Sequence, residues 1–308
     1  MTNDVDQQSA LLRGWNQTYD QMSSGRFSGL FQEADLDGLY LFREVTSSAL
    51  YQNGYLQEGL LAIGIPLILN GMATFCGQPC RGSQLHLFSG RSGFEFNSPS
   101  GLDIVGITLP WDAFTAGLQE EEVDQISQSL KAAGVVSASP AKLYQLRKLV
   151  TDILELFTHT GEPPHAAIQA AIQQDLRETL VAATLPQAPQ ETLSSSRRAK
   201  LVRTARMLAT TDRPEGPITI EELCKTLRVS RRTLQYCFIE LTGMPPATYL
   251  RFVRLNGARR SLKTAASVTE AATIWGFWHL GRFAQDYKAF FGEQPSATLQ
   301  QAGKISSQ

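Results

Sequence analysis

Residues 219–238 and 268–287 repeat one pattern: a short helix, a tight turn and a second helix with its own apolar stripe. In the first copy Ile220, Leu223 and Leu227 are spaced to pack on Leu234, Cys237, Phe238 and Leu241. Those last four stand at i, i+3, i+4 and i+7, one face of an α-helix. In the second copy Val268, Ala271, Ala272, Trp275 and Phe277 face Phe283, Tyr287, Phe290 and Phe291. Elements this short must bury their stripes against one another, so this end of the chain is expected to be a compact all-helical domain. Turning the stripes inward leaves Arg231, Arg232, Gln235 and Tyr236 outside in the first copy, and His279, Arg282 and Gln285 in the second. Those side chains are either a solvated polar face or a reading surface. Arg bonds guanine bidentately and Gln bonds adenine, and Ser230 is placed to cap the second helix, which favours reading. Two such helices in series fit successive major grooves of one duplex. Leu280 and Gly281 offer no donor to a base edge, so the second copy is expected to lean on methyl contacts, phosphates and DNA shape.

Gly243 and Pro245-Pro246 separate the copies and start a connecting helix at about residues 246–263. It turns Phe252, Leu255, Ala258 and Leu262 inward and displays Arg251, Arg254, Arg259 and Arg260, each either a phosphate contact or an internal ion pair. Charge agrees with this placement. The chain's net charge is only −1, yet residues 1–194 sum to −11 and residues 195–308 to +10. An acidic half joined to a basic half suggests a polyanion-binding module on a module with another task.

Residues 26–112 carry short apolar segments punctuated by Gly54, Asn70-Gly71, Pro79, Gly90 and Pro99-Ser-Gly101, the mark of a β-sandwich or small barrel. Beyond Pro110 the period becomes helical. Leu143, Leu146, Leu149, Val150 and Ile153 form one stripe, and Ile168, Ile172, Leu176, Leu180 and Ala183 another. Both either pack on the barrel or form a dimer interface. Residues 186–196 are a polar Pro/Ser linker. The expected layout is therefore α+β: a β-rich sensor at 1–135, a helical and possibly dimerising segment at 136–187, a linker at 188–200, and a double helix-turn-helix domain at 201–303.

Enzyme chemistry finds little support. Of the histidines only His86 lies in the β region, so no His/carboxylate metal cluster is expected. Residues 90–94 miss the Gly-x-Ser-x-Gly elbow at the last position. Cys76 and Cys80 are expected to be buried free thiols rather than a redox pair. The acidic start and an apolar run at 60–69 too short to span a bilayer point to a cytoplasmic protein with no membrane partner. Arg43, Glu44, Glu58, Phe94, Glu95 and Phe96 are pocket candidates, because a carboxylate among aromatic rings suits an ammonium group. Ordinary strand residues would read the same way.

Ser230-Arg-Arg-Thr-Leu-Gln235, Arg254-Leu-Asn-Gly-Ala-Arg259, Ala271-Ala-Thr-Ile-Trp-Gly-Phe277 and Phe291-Gly-Glu-Gln-Pro295 resemble the AraC/XylS family of bacterial transcription regulators over about residues 201–302. Trp15-Asn-Gln-Thr-Tyr-Asp-Gln21, Gly25-Arg-Phe27, Leu41-Phe-Arg-Glu44, Phe94-Glu-Phe96 and Trp275-Gly-Phe-Trp-His-Leu-Gly-Arg-Phe283 look like the ethanolamine-operon activators of that family. The resemblance implies a cupin-like N-terminal sensor and a domain whose second helix in each unit reads bases. It also implies RNA polymerase and a second copy of the chain as partners, and ethanolamine with adenosylcobalamin as effectors. No catalytic cofactor or metal is expected. The alternative is a regulator of another pathway, in metabolism or virulence, with no small-molecule effector and controlled by partners or abundance.

Overall fold

The computed structural model describes residues 1–90, 93–131, 134–160, 165–185, 195–211 and 217–305. They divide into two compact units, Met1–Tyr19 with Ser28–Leu193 and Asp20–Phe27 with Ser194–Gln308.

The first unit opens with helix α1 (Val5–Ser9), then strands β1 (Trp15–Gln21), β2 (Gly29–Leu36), β3 (Leu39–Thr46), β4 (Leu50–Leu56), β5 (Leu60–Ile68), β6 (Ala73–Phe75), β7 (Gln78–Cys80), β8 (Gln84–Ser89), β9 (Phe94–Ser98) and β10 (Leu102–Pro110). Helices α2 (Trp111–Thr115) and α3 (Glu120–Lys131), strand β11 (Val135–Ser137), and helices α4 (Pro140–Thr160) and α5 (Ala166–Thr184) complete it. The strands form a five-stranded sheet ordered β1-β4-β9-β6-β7 and a six-stranded sheet ordered β11-β8-β5-β10-β3-β2. Two hairpins have two-residue turns with positive φ at both positions, Asp37 (42°) with Gly38 (95°) and Cys76 (48°) with Gly77 (78°). That geometry matches the right-handed twist of the flanking strands. It accounts for Cys76 as a turn residue, while Cys80 is a buried free thiol that burial pushes up to about 12.

Strand β10 lies between β3 and β5, antiparallel to both, and is buried from Leu102 to Leu109. Alternation then sorts its side chains by face. Val105, Ile107 and Leu109 join Leu61, Ile63, Ile65, Leu85 and Leu87 in a core closed by α4 and α5. Leu102 and Ile104 join Ala62, Phe75, Phe88, Phe94 and Phe96 in a second core against the smaller sheet. Leu143, Leu146, Val150 and Ile153 of α4 and Leu176, Leu180 and Ala183 of α5 all belong to the first core. Of the two readings of those stripes, packing on the protein's own sheet is the one observed.

The second unit holds α6 (Ser195–Thr210), α7 (Ile220–Leu227), α8 (Arg231–Thr242), α9 (Pro246–Leu262), α10 (Val268–Ile274), α11 (Leu280–Phe291) and α12 (Pro295–Ile305). The expected linker at 188–200 lies outside the described residues up to 194. From Ser195 onward it is helix instead, because Ala199, Val202 and Ala205 are buried at threefold spacing and Arg198 pairs with Glu240 at 2.7 Å. The expected β-rich segment 1–135 is interrupted in one place. Asp20–Phe27 groups with the helical unit, since Asp20 pairs with Arg206 of α6 and Arg260 of α9.

Capping follows the sequence closely. Thr219 and Glu222 form a capping box at α7, Ser230 Oγ accepts the Thr233 N–H at 3.0 Å, and Gly243 (φ 73°) and Gly292 (φ 74°) end α8 and α11. Helix α9 runs through the middle of the unit, with Leu255, Ala258 and Leu262 packed on Ala271, Ala272, Phe283, Tyr287, Phe290 and Phe291. Gly257 faces the Trp275 indole so closely that an added Cβ would lie 2.4 Å from the ring.

This contact reverses the usual effect of glycine in a helix. Gly257→Ala should destabilise the second unit by about 1–3 kcal/mol through overpacking, despite the ~1 kcal/mol that Ala gains in helix propensity. Gly281→Ala, whose Cβ would meet nothing within 4 Å, should stabilise it by about 0.5–1 kcal/mol. Urea denaturation of the two variants checks both signs.

Candidate nucleic-acid interface and ligand cavity

The outer face of α8 presents Arg231, Gln235 and Tyr236, all exposed, with Tyr236 at 60%. Helix α11 presents His279 at its N-cap and Arg282 and Gln285 within its first two turns, also exposed. Their six side chains make no hydrogen bond or ion pair with another described residue. The side chain of Arg232 lies outside the described residues. Behind each face sits the apolar stripe expected from sequence: Leu234, Cys237, Phe238 and Leu241 in α8, and Phe283, Tyr287, Phe290 and Phe291 in α11 are all buried. Packing therefore fixes which side of each helix is left for a polar partner.

Arg251, expected either to contact phosphate or to form an internal ion pair, forms an ion pair, with Asp286 of α11. Its neighbours on α9 are also engaged: Arg259 with Glu293 at 3.0 Å and over the Phe291 ring at 4.6 Å, and Arg260 with Asp20. Arg254 is partly buried over the Phe277 ring, and burial lowers its pKa. The α9 arginines thus serve the unit's internal structure, because each i+3 or i+4 step around the central helix meets another helix.

The first unit contains a small aromatic cavity of about 50 Å³. Trp15, Phe42, Phe75, Phe88, Phe94 and Phe96 form its walls, and Glu44 and His86 are its buried ionisable groups with Tyr19 beside them. Trp15 meets Phe42, Phe88 and Phe94 edge-on at ring distances of 5.5, 5.2 and 5.5 Å. Glu44 is 2% exposed and accepts hydrogen bonds from Gln8 Nε2 and the Tyr19 hydroxyl, each at 3.1 Å. Burial raises its pKa to about 7, against these hydrogen bonds, which act to lower it. Burial drives His86 down to about 3, so its ring is neutral, stacked 4.8 Å from Phe75. Trp15 Nε1 and His86 Nε2 are buried and have no hydrogen-bond partner among the described residues.

Of the expected pocket residues, Glu44, Phe94 and Phe96 line this cavity, and Arg43, Glu58 and Glu95 do not. Strand alternation explains the split. Arg43 follows Phe42 and precedes Glu44, so it faces away, where Asp103 holds it bidentately at 2.9 and 2.8 Å. Glu95 sits between Phe94 and Phe96 and accepts the Tyr51 hydroxyl at 2.7 Å. Glu58 is exposed. Sequence reasoning missed Trp15, Tyr19 and His86 as lining residues, although Trp15, Gln17 and Tyr19 alternate as one face of a strand should. Among the described residues no group of three or more His, Cys, Asp or Glu side chains could hold a metal ion. No helix among them is long and apolar enough to cross a membrane.

Residues 223–301 match the family model described as a helix-turn-helix domain. A probable thc operon regulatory protein of Rhodococcus erythropolis is 39% identical over 89 residues, 28% of this chain and 27% of that protein. A XylDLEGF operon transcriptional activator of Pseudomonas putida is 40% identical over 91 residues, 28% of each chain. The similarity thus spans little more than a quarter of these relatives, which are regulators of transcription rather than enzymes. Among solved structures, the AraC-like transcriptional activator CuxR aligns over 81% of this chain and 85% of its own, at 14% identity and a TM-score of 0.41. A probable AraC family transcriptional regulator from Rhodopseudomonas palustris CGA009 aligns over 33% of this chain and 97% of its own, at 38% identity and a TM-score of 0.30.

The raised Glu44 pKa makes stability depend on pH in a stated direction. Between 4.5, its ordinary value, and about 7 the folded chain holds a proton that the unfolded chain has released. Rising pH therefore favours unfolding across that window. The contribution is complete below 4.5 and is lost as pH climbs through about 7. Glu44→Gln removes the titration, so the variant should match the parent near pH 4.5 and exceed it increasingly up to neutrality. Thermal midpoints of parent and variant across that range give the check, and a pH-independent gap would refute the assignment.

Proposed function

We propose that this chain, whose C-terminal unit carries a helix-turn-helix domain of the AraC/XylS type, is a sequence-specific DNA-binding transcriptional activator governed by a small organic effector. The observation that carries the DNA-binding part is the pair of exposed, unpaired polar faces on α8 and α11, each backed by a buried apolar stripe. In this reading Arg231, Arg232 and Gln235 read base edges from α8, with Tyr236 beside them. His279, Arg282 and Gln285 act from α11, where the Leu280-Gly281 start leaves more to phosphates and groove shape. Arg251 orients α11 through Asp286 rather than touching DNA.

The effector part rests on the aromatic cavity. A single buried carboxylate, three polar atoms without a hydrogen-bond partner (Trp15 Nε1, Gln52 Nε2 and His86 Nε2) and aromatic walls suit a small molecule with an ammonium or hydroxyl end and an apolar body. The ethanolamine-operon resemblance nominates ethanolamine as the first compound to test, and the Glu44 carboxylate supports an amine of that kind. Adenosylcobalamin as a second effector rests on the resemblance alone. RNA polymerase is the expected partner of an activator. Self-association, which would present two such units to paired sites, would use surfaces other than the α4 and α5 stripes, which are spent on the sheet.

Selection of duplexes from a random pool, followed by footprinting, tests the DNA reading. The expected footprint has two contact regions about one helical turn apart, 34–36 Å. Arg231→Ala or Gln235→Ala should weaken the selected duplex by about 1–3 kcal/mol and relax preference at particular base pairs. Raising salt should weaken binding with a log–log slope of about −0.9 per phosphate neutralised. A footprint confined to one groove, or variants with an unaltered site profile, would overturn the two-helix reading.

A further inference from the structure

The turn between α10 and α11 carries two tryptophans with opposite fates. Trp275 turns inward: it faces Gly257, and its Nε1 donates to the Ser261 hydroxyl at 2.9 Å. Trp278, further along the turn, is 66% exposed. Ile274 at the end of α10 and Leu280 at the start of α11 are exposed as well, at 60% and 39%. Large apolar side chains thus stand in water along residues 274–280, whereas α8 opens on the exposed Arg231.

The backbone beneath this patch is fixed. Gly276 takes the left-handed conformation (φ 74°), and Pro217 fills the space where a Cβ would lie. The N–H groups of Gly276 and Phe277 donate to the carbonyls of Thr273 and Ala272 at 2.9 and 3.0 Å, and the Phe277 ring packs 4.9 Å from that of Phe283. An aromatic side chain held out from a rigid turn loses little freedom when it binds. Gly281 completes the edge. It is not left-handed, and a Cβ there would meet nothing within 4 Å, so neither turn geometry nor packing inside the chain asks for glycine. The bare backbone beside Leu280 instead lets a flat surface approach closely.

We propose that Trp278 and Leu280 are specificity-determining residues that read the 5-methyl groups of thymine in the major groove. The inference rests on the DNA-binding reading above. A helix-turn-helix sets the first residues of its second helix against base edges, and Leu280 is the first residue of α11. A side chain with neither donor nor acceptor can tell base pairs apart there only by apolar contact, and thymine is the base that carries a methyl on that edge. Bringing that methyl against the isobutyl and indole groups removes apolar surface from water on both sides. The patch is continuous with His279, Arg282 and Gln285, all exposed, so whatever meets it must also satisfy a cation and an amide around an apolar centre. A duplex does so, with phosphates and base edges around each methyl. The two units therefore read by different chemistry, α8 by hydrogen bonds and the α10–α11 edge by methyl contact.

The test uses the full chain and the tightest duplex that the parent selects from a random pool. Each thymine of that site is replaced in turn by deoxyuracil, which removes the 5-methyl group and leaves every hydrogen-bonding group in place. Kd is measured for the parent, Leu280→Ala and Trp278→Ala. Both side chains are exposed, so neither substitution opens a cavity in the core. Within one contact region, at least one replacement should weaken the parent by about three- to fivefold, the worth of one buried methyl. The same replacement should cost Leu280→Ala or Trp278→Ala less than about 1.5-fold, because the methyl and its reader act as a pair. The inference is overturned if no replacement weakens the parent, or if every penalty persists undiminished in both variants. Specific binding with either of those results leaves the DNA-binding reading standing, whereas a parent that selects no duplex overturns both.

Discussion

Strand β10 has no wet side. Buried from Leu102 to Leu109, it obliges the six-stranded sheet to be covered on both faces, and the architecture of the first unit follows. One face, built of Val105, Ile107, Leu109 and their neighbours, is large and aliphatic, and the long helices α4 and α5 cover it. The other must hold Ile104 and Gly106 opposite the smaller sheet. Gly106 has no side chain because the Phe42 ring occupies the space a Cβ would need, 2.1 Å away. The Phe42 ring lies over Gly106 and, with the other rings of that face, walls the cavity. The helices on one face and the cavity on the other are two results of one fully buried strand.

What was legible from sequence tracks how local the information is. The helix-turn-helix pair was readable because its stripes, its Ser230 cap and its Gly243 stop all lie within a few residues of what they determine. The α4 and α5 stripes were readable as stripes, but their partner was not, since the same pattern serves a sheet or a second chain. In the β region residue type was read without strand phase. Arg43 and Glu95 were grouped with Glu44 and Phe94, although a period of two sends neighbours to opposite faces. The role of Asp20 was hidden for a different reason: its partners lie 186 and 240 residues away, and no local pattern marks them.

The charge split also reads differently once the arginines are placed. A surplus of +10 over residues 195–308 suggests a broad basic surface. On α9, however, Arg251, Arg259 and Arg260 each have a carboxylate partner, on Asp286, Glu293 and Asp20. One of those carboxylates comes from the acidic half of the sequence. Arg231 on α8 and Arg282 on α11, by contrast, are exposed.

The discontinuity of the helical unit also bears on how the chain is made. A ribosome releases residues 20–27 long before Arg206, Asn256, Arg260 and Phe290 exist, so the segment must wait through the synthesis of most of the chain for its partners. Contacts 186–266 residues apart carry the loop-closure cost of distant pairing, and they form only after the last helices have emerged. The first unit can collapse during translation, with Tyr19 already fixed beside Glu44 and Asp20 held next to it. The emerging helices then meet a tethered, preformed anchor instead of searching for a free peptide. On this ordering the helical unit matures last, and a prematurely terminated chain would carry the cavity without a finished second unit.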